Sequence, residues 1–154
     1  MADAGMTAGG AIAVRRAVAA DAAACAAIVN DWVDATPWMP RVHTREAVAA
    51  FYQDIVFGRR DVRVAGEPVD GFLALDEEAA LVTALYVATP GRGIGRALLD
   101  AARAGRDRLE LWTFVANAGA RRYYAREGFR EVRRTPGENE EGLPDILLRW
   151  ERAA

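Results

Sequence analysis

The sequence contains no lysine; all twenty of its basic residues are arginine. Beside the many alanines and glycines, this reflects coding bias rather than a function. It also excludes a Walker-type phosphate loop, which needs a Lys-Ser/Thr pair. Cysteine is almost absent. Cys25 stands alone, so no intrachain disulfide can form and no thiolate cluster can hold a metal. Its spacing to Ile28, Val29 and Trp32 predicts a buried helical thiol. No apolar run approaches the roughly 20 residues that cross a bilayer. Met1 to Gly10 lacks the basic and apolar regions of a signal peptide. Net charge is −2 with no basic block, which argues against nucleic acid as the main partner. These absences predict a cytoplasmic protein with no membrane partner, a flexible leader over residues 1–10, and one domain over 11–154.

What is present is an ordinary globular composition, 52% hydrophobic and 27% charged. Alternation predicts a strand over Ala11 to Arg16, and a 3.6-residue period predicts a helix over Asp21 to Asp34. Thr-Pro-Trp-Met-Pro-Arg, residues 36–41, breaks the pattern. Thr44 can cap a second helix, with Glu46 in its first turn and Gly58 ending it. Val62 and Val64, then Val69 to Leu75, predict a hairpin around Gly66-Glu67-Pro68. Strands follow at Leu81 to Val87, Leu109 to Val115, Glu131 to Thr135 and Asp145 to Trp150. Helices fall between them, up to about Gly105 and over Ala118 to Glu127. This mixed order predicts an α+β chain, or α/β with a mixed sheet, rather than a doubly wound Rossmann fold.

The most informative stretch is Leu85 to Leu99. A strand ends at Val87, three alternating glycines follow at Gly91, Gly93 and Gly95, and a helix starts with Ile94. Strand, tight glycine turn and helix together aim free backbone N–H groups at an anion. Glycine permits close approach and positive φ. Arg92 and Arg96 add charge. The residues alone leave two readings open, a phosphate cradle and a plain strand-to-helix turn. The G-x-G-x-G spacing departs from the dinucleotide fingerprint, and no acidic strand end follows.

A second stretch runs from Leu109 to Phe129: a strand, then Asn117, Ala120, Tyr123, Tyr124, Gly128 and Phe129. Together the two stretches strongly resemble the GNAT superfamily of acetyl-CoA-dependent N-acetyltransferases. The element order from Ala11 to Trp150 resembles it as well. The resemblance implies a central, mostly antiparallel sheet flanked by about four helices, with acetyl-CoA as co-substrate and no metal. It places the CoA pyrophosphate on Arg92, Gly93, Ile94, Gly95 and Arg96. It places the thioester carbonyl against backbone N–H near Tyr86 and Val87, and the pantetheine arm on Asn117, which also suits a helix N-cap. Pro90 stands where the family has Gln or Arg, so the phosphate grip would fall to backbone N–H groups, Arg92 and Arg96.

The resemblance makes Tyr124 the acid that protonates the departing thiolate, with simple packing as the alternative. A phenol of pKa near 10 suits that exchange. No carboxylate lies on the strand Leu81 to Val87, so the candidate bases are His43, Glu140, Glu141 and Asp145, or a water relay. Trp32, Trp38 and Met39 fall in the segment that walls the acceptor site in this family; core packing is their alternative reading. The expected reaction is direct attack by a small-molecule primary amine in a ternary complex. Two alternatives are acetylation of a protein or peptide N-terminus, and a non-catalytic acyl-CoA sensor. Family members are often dimers, so a homodimer is admitted.

Overall fold

The computed structural model describes residues 12–154. The expected leader and the first residue of the expected opening strand lie outside them. Seven strands form one sheet: β1 (Val14–Arg16), β2 (Asp61–Ala65), β3 (Gly71–Asp76), β4 (Leu81–Val87), β5 (Arg108–Phe114), β6 (Arg130–Thr135) and β7 (Asp145–Glu151). Their order is β1-β2-β3-β4-β5-β7-β6, and only β4 and β5 pair in parallel. The mixed sheet expected from the element order is present, and it is mostly antiparallel as the resemblance implies.

β3 shows how the sheet is covered. Gly71 to Leu75 is buried without a break, as a strand must be when both faces are packed. Side chains alternate across the pleat. Leu73 and Leu75 join Leu98, Leu99, Leu109 and Leu111 on one face. Phe72 and Ala74 join Cys25, Val29, Tyr52 and Val56 on the other. The first face carries α4 (Ile94–Arg103) and α5 (Ala118–Arg126). The second carries α1 (Ala22–Ala35) and a rod made of α2 (Arg45–Phe51), a π-helical turn (Tyr52–Val56) and α3 (Phe57–Arg59).

Local signals explain the ends. Thr44 Oγ1 accepts from the Ala47 N–H at 3.1 Å, capping α2 as expected. Gly58 does not stop its helix. It lies inside α3, and the chain turns extended at Arg60 (φ −116°, ψ 156°). The hairpin strand begins at Gly71 rather than Val69, because Asp70 N–H is spent on Ala65 carbonyl at 2.8 Å in the turn. β1 is shorter than alternation suggested and starts at Val14.

Candidate functional site

The site forms where the sheet parts. β4 and β5 pair only at Leu81 with Glu110 and at Val82 with Leu111. On its other edge β4 stays paired with β3 as far as Val87. The β3–β4 register slips there: Ala74 faces Ala84 while Leu75 faces Val82, leaving Thr83 as the extra residue. Such a bulge bends a strand and sharpens its twist. Thr83 Oγ1 donates to the Ala74 carbonyl at 3.2 Å and fastens the bend. Past it, β4 turns away from β5 and a cavity of about 670 Å3 opens between them.

Its two ends differ in chemistry. At one end lies the glycine turn. Gly91 and Gly93 hold φ of +84° and +79°, conformations that only glycine adopts cheaply. Gly93 is the N-cap of α4, and the first intrahelical bond runs from Ala97 N–H to Gly93 carbonyl. The N–H groups of Ile94, Gly95 and Arg96 therefore have no helical partner, and they carry the positive end of the helix dipole. Gly93, Ile94, Gly95 and Arg96 all line the cavity, as does Arg126 from α5. Ile94 is buried and belongs to the core cluster as well as to the lining. Arg92 is exposed and lies outside the lining.

Gly71 sets the height of that turn. A Cβ there would come within 2.7 Å of Ile94 Cγ2 and 3.1 Å of Tyr86 carbonyl. Its absence lets the first turn of α4 seat directly on β3.

The other end is aromatic; Trp38, His43, Glu140 and Glu141 lie outside its lining. Trp32 from α1 meets Tyr86 edge-on at 5.5 Å and Trp38 at 5.8 Å. Trp38 meets Phe114 at 5.9 Å. Trp32, Tyr86 and Phe114 line the cavity. The segment carrying Trp38 is pinned to α1: Arg41 donates to Asn30 Oδ1, Asn30 carbonyl, Asp34 Oδ1 and His43 carbonyl at 2.8–3.0 Å. Met39 closes a turn onto the Thr36 carbonyl at 3.1 Å and lies outside the lining. His43 Nε2 then meets Glu140 Oε1 at 2.6 Å, joining this segment to the β6–β7 loop. Burial pushes the Tyr86 phenol up to about 12, and the Glu141 carboxylate adds to the shift.

Asn117 and Tyr124 enter from α5. Asn117 Oδ1 accepts from the Ala120 N–H at 3.1 Å, so the side chain caps the helix. Asn117 lines the cavity, and its Nδ2 has no hydrogen-bond partner among the described residues. Tyr124 is 8% exposed, edge-on to Tyr123 at 5.4 Å and Phe129 at 5.5 Å. Burial raises its phenol above the ordinary value, with the neighbouring Tyr123 and Tyr86 adding to it. Asp145 is taken up otherwise. It pairs with Thr135 Oγ1, and its Oδ2 accepts from Asn139 Nδ2 at 3.1 Å, tying down the loop.

The sequence reading missed Phe114, Tyr123 and Arg126 as cavity residues. Phe114 shares a face with Trp112 by strand alternation, but that face meets a cavity only because β4 departs. Among the described residues no group of three or more His, Cys, Asp or Glu side chains could hold a metal ion.

A sheet that parts at its one parallel pair, above a turn with free amides, can take a phosphate-bearing chain between its strands. The fold with this feature is that of the acyl-CoA-dependent N-acyltransferases. The GNAT acetyltransferase domain family matches residues 54–131, just over half of the chain, and the chain belongs to that family. Among solved structures it is similar to the apo form of YjaB from Escherichia coli (TM-score 0.74, 23% identity, 94% of this chain and 100% of that one). It is also similar to YncA from Salmonella typhimurium, solved with its cofactor acetyl-CoA (TM-score 0.67, 24% identity, 94% and 98%). A third is the ribosomal-protein-alanine N-acetyltransferase of Brucella melitensis (TM-score 0.67, 23% identity, 91% and 99%). No curated protein sequence matches the chain.

Proposed function

We propose that this chain transfers the acetyl group of acetyl-CoA to the primary amine of a small molecule. The observation that carries this reading is the His43–Glu140 bridge at 2.6 Å. A peptide acceptor needs an open groove between the Trp38 segment and the β6–β7 loop, and the bridge spans that gap. The residues also fit the donor. Partnerless amides of Gly95 and Arg96, with Arg96 and Arg126 beside them, suit a diphosphate. The Asn117 amide nitrogen suits the pantetheine arm.

Bound acetyl-CoA supplies a thioester whose carbonyl carbon the amine nitrogen attacks, the C–N bond forming as the C–S bond breaks. Of the backbone N–H groups near Tyr86 and Val87, that of Val87 faces the β4 edge that β5 has left and polarises the carbonyl, because Ala88 N–H, and with it Tyr86 N–H in the same register, turns to β3. Trp32 and Trp38 wall the amine, and Met39 lies in the same segment. Glu140 and Glu141 draw in an ammonium ion; one of them, or His43 beside Glu140, takes its proton. Tyr124 gives its proton to the departing sulfur and regains one from the attacking nitrogen; its raised pKa keeps the phenol protonated but makes it a weaker acid than a free phenol. No helix among the described residues is long and apolar enough to cross a membrane, in keeping with action in the cytoplasm.

The test is CoA release with panels of small amines and of peptides with free N-termini. Small amines should support turnover, and Tyr124→Phe should lower kcat by about 10²-fold or more with acetyl-CoA affinity unchanged. Turnover only with peptides would replace the small-molecule reading. Acetyl-CoA binding without release for any amine would favour a sensor. Unchanged kcat in Tyr124→Phe would remove the acid assignment.

A further inference from the structure

Among the described residues, one buried side-chain polar atom has no hydrogen-bond partner: the hydroxyl of Tyr123. Its position is specific. A Cβ built on Gly95 would lie 3.1 Å from that oxygen and 3.6 Å from the ring carbon bearing it. The hydroxyl is therefore pressed against the first turn of α4, behind the free amides that end the cavity. The ring is held from two sides. Tyr124 packs edge-on at 5.4 Å, and the Arg126 guanidinium lies over it at 5.9 Å. Packing alone asks only for a phenyl ring here. A buried hydroxyl without a partner is a net cost to the fold, whereas one that meets an anion forms a charge-assisted bond.

We propose that Tyr123 is a donor-binding residue, whose hydroxyl donates a hydrogen bond to a diphosphate oxygen of acetyl-CoA at the first turn of α4. The proposal rests on reading the glycine turn as the diphosphate site. Tyr123 and Gly95 both line the cavity, so the bond needs only a local parting of the turn from the ring. Burial pushes the phenol up to about 12, so the group remains a neutral donor at physiological pH. Charge reinforces the placement: Arg96 precedes it on the rim and Arg126 follows it on α5, both lining the cavity. Tyr123 thereby adds a side-chain donor to a loop where Pro90 offers none.

Tyr123→Phe tests this, because it removes one oxygen and keeps the ring. Three quantities are measured on the full chain: melting temperature without ligand, Kd for acetyl-CoA, and Kd for S-acetylpantetheine, which lacks the diphosphate. The variant should melt no lower than the parent, bind acetyl-CoA about tenfold more weakly, and bind S-acetylpantetheine unchanged. An acetyl-CoA Kd within twofold of the parent overturns the proposal. Equal weakening toward both donors also overturns it, by showing that the oxygen acts on packing. Failure of the parent itself to bind acetyl-CoA would overturn the donor-site reading instead.

Discussion

Single residues carry roles that their neighbours decide. Cys25 is wholly buried between α1 and the sheet, and burial pushes its thiol up to about 12. In the unfolded chain a thiol titrates near 8.5. The unfolded state thus loses its proton first, and stability falls as pH rises from about 8.5 toward the folded value, by about 1.4 kcal/mol per pH unit. Melting temperature should drop between pH 8.5 and 10, and Cys25→Ala should flatten that limb whatever its effect at pH 7. A slope unchanged by the substitution would mean other groups set it. The helical period made burial of Cys25 readable in the sequence. Asp145 was not readable in this way. Its acidity suggested a base, but only the folded loop shows its oxygens held by Thr135 and Asn139.

At the scale of elements, the glycines separate by what surrounds them. Gly71→Ala would drive a Cβ to 2.7 Å from Ile94 Cγ2, lifting α4 from β3. We expect a loss of about 1–3 kcal/mol in stability, as for other overpacked sites, together with weaker acetyl-CoA binding. Gly58→Ala, in α3 with nothing within 4 Å, should raise stability by about 0.5–1 kcal/mol. Thermal melts and acetyl-CoA titrations of the two variants check this. Equal stability of Gly71→Ala and the parent would show that Ile94 has room to yield. Most element bounds were legible because caps, turn glycines and periodicity are local signals: Thr44 caps α2, Asn117 caps α5, and Gly128 (φ +91°) follows α5. Gly58 misled because a lone glycine reads as a stop, while packing of Tyr52 and Val56 in the core carries the helix past it.

The molecule as a whole makes the cavity, since its walls come from α1, β4, the glycine turn, β5 and α5. A donor that spans so many elements binds only the folded chain. Acetyl-CoA at about 100 times its Kd should therefore add about 2.7 kcal/mol of stability. For a chain of this size that is a rise of roughly 5–10 °C in melting temperature. A melting curve unmoved by millimolar acetyl-CoA would count against the donor site. The α+β order, the glycine turn and the placement of Asn117 and Tyr124 at one helix could be read from local signals, because each depends on contacts a few residues apart. Folding alone brings β4 away from β5 at Thr83, turns Phe114 to the opening, joins His43 to Glu140 and presses Tyr123 against Gly95. Those relations join residues far apart in the chain, and they depend on strand register and helix seating, which local composition does not encode.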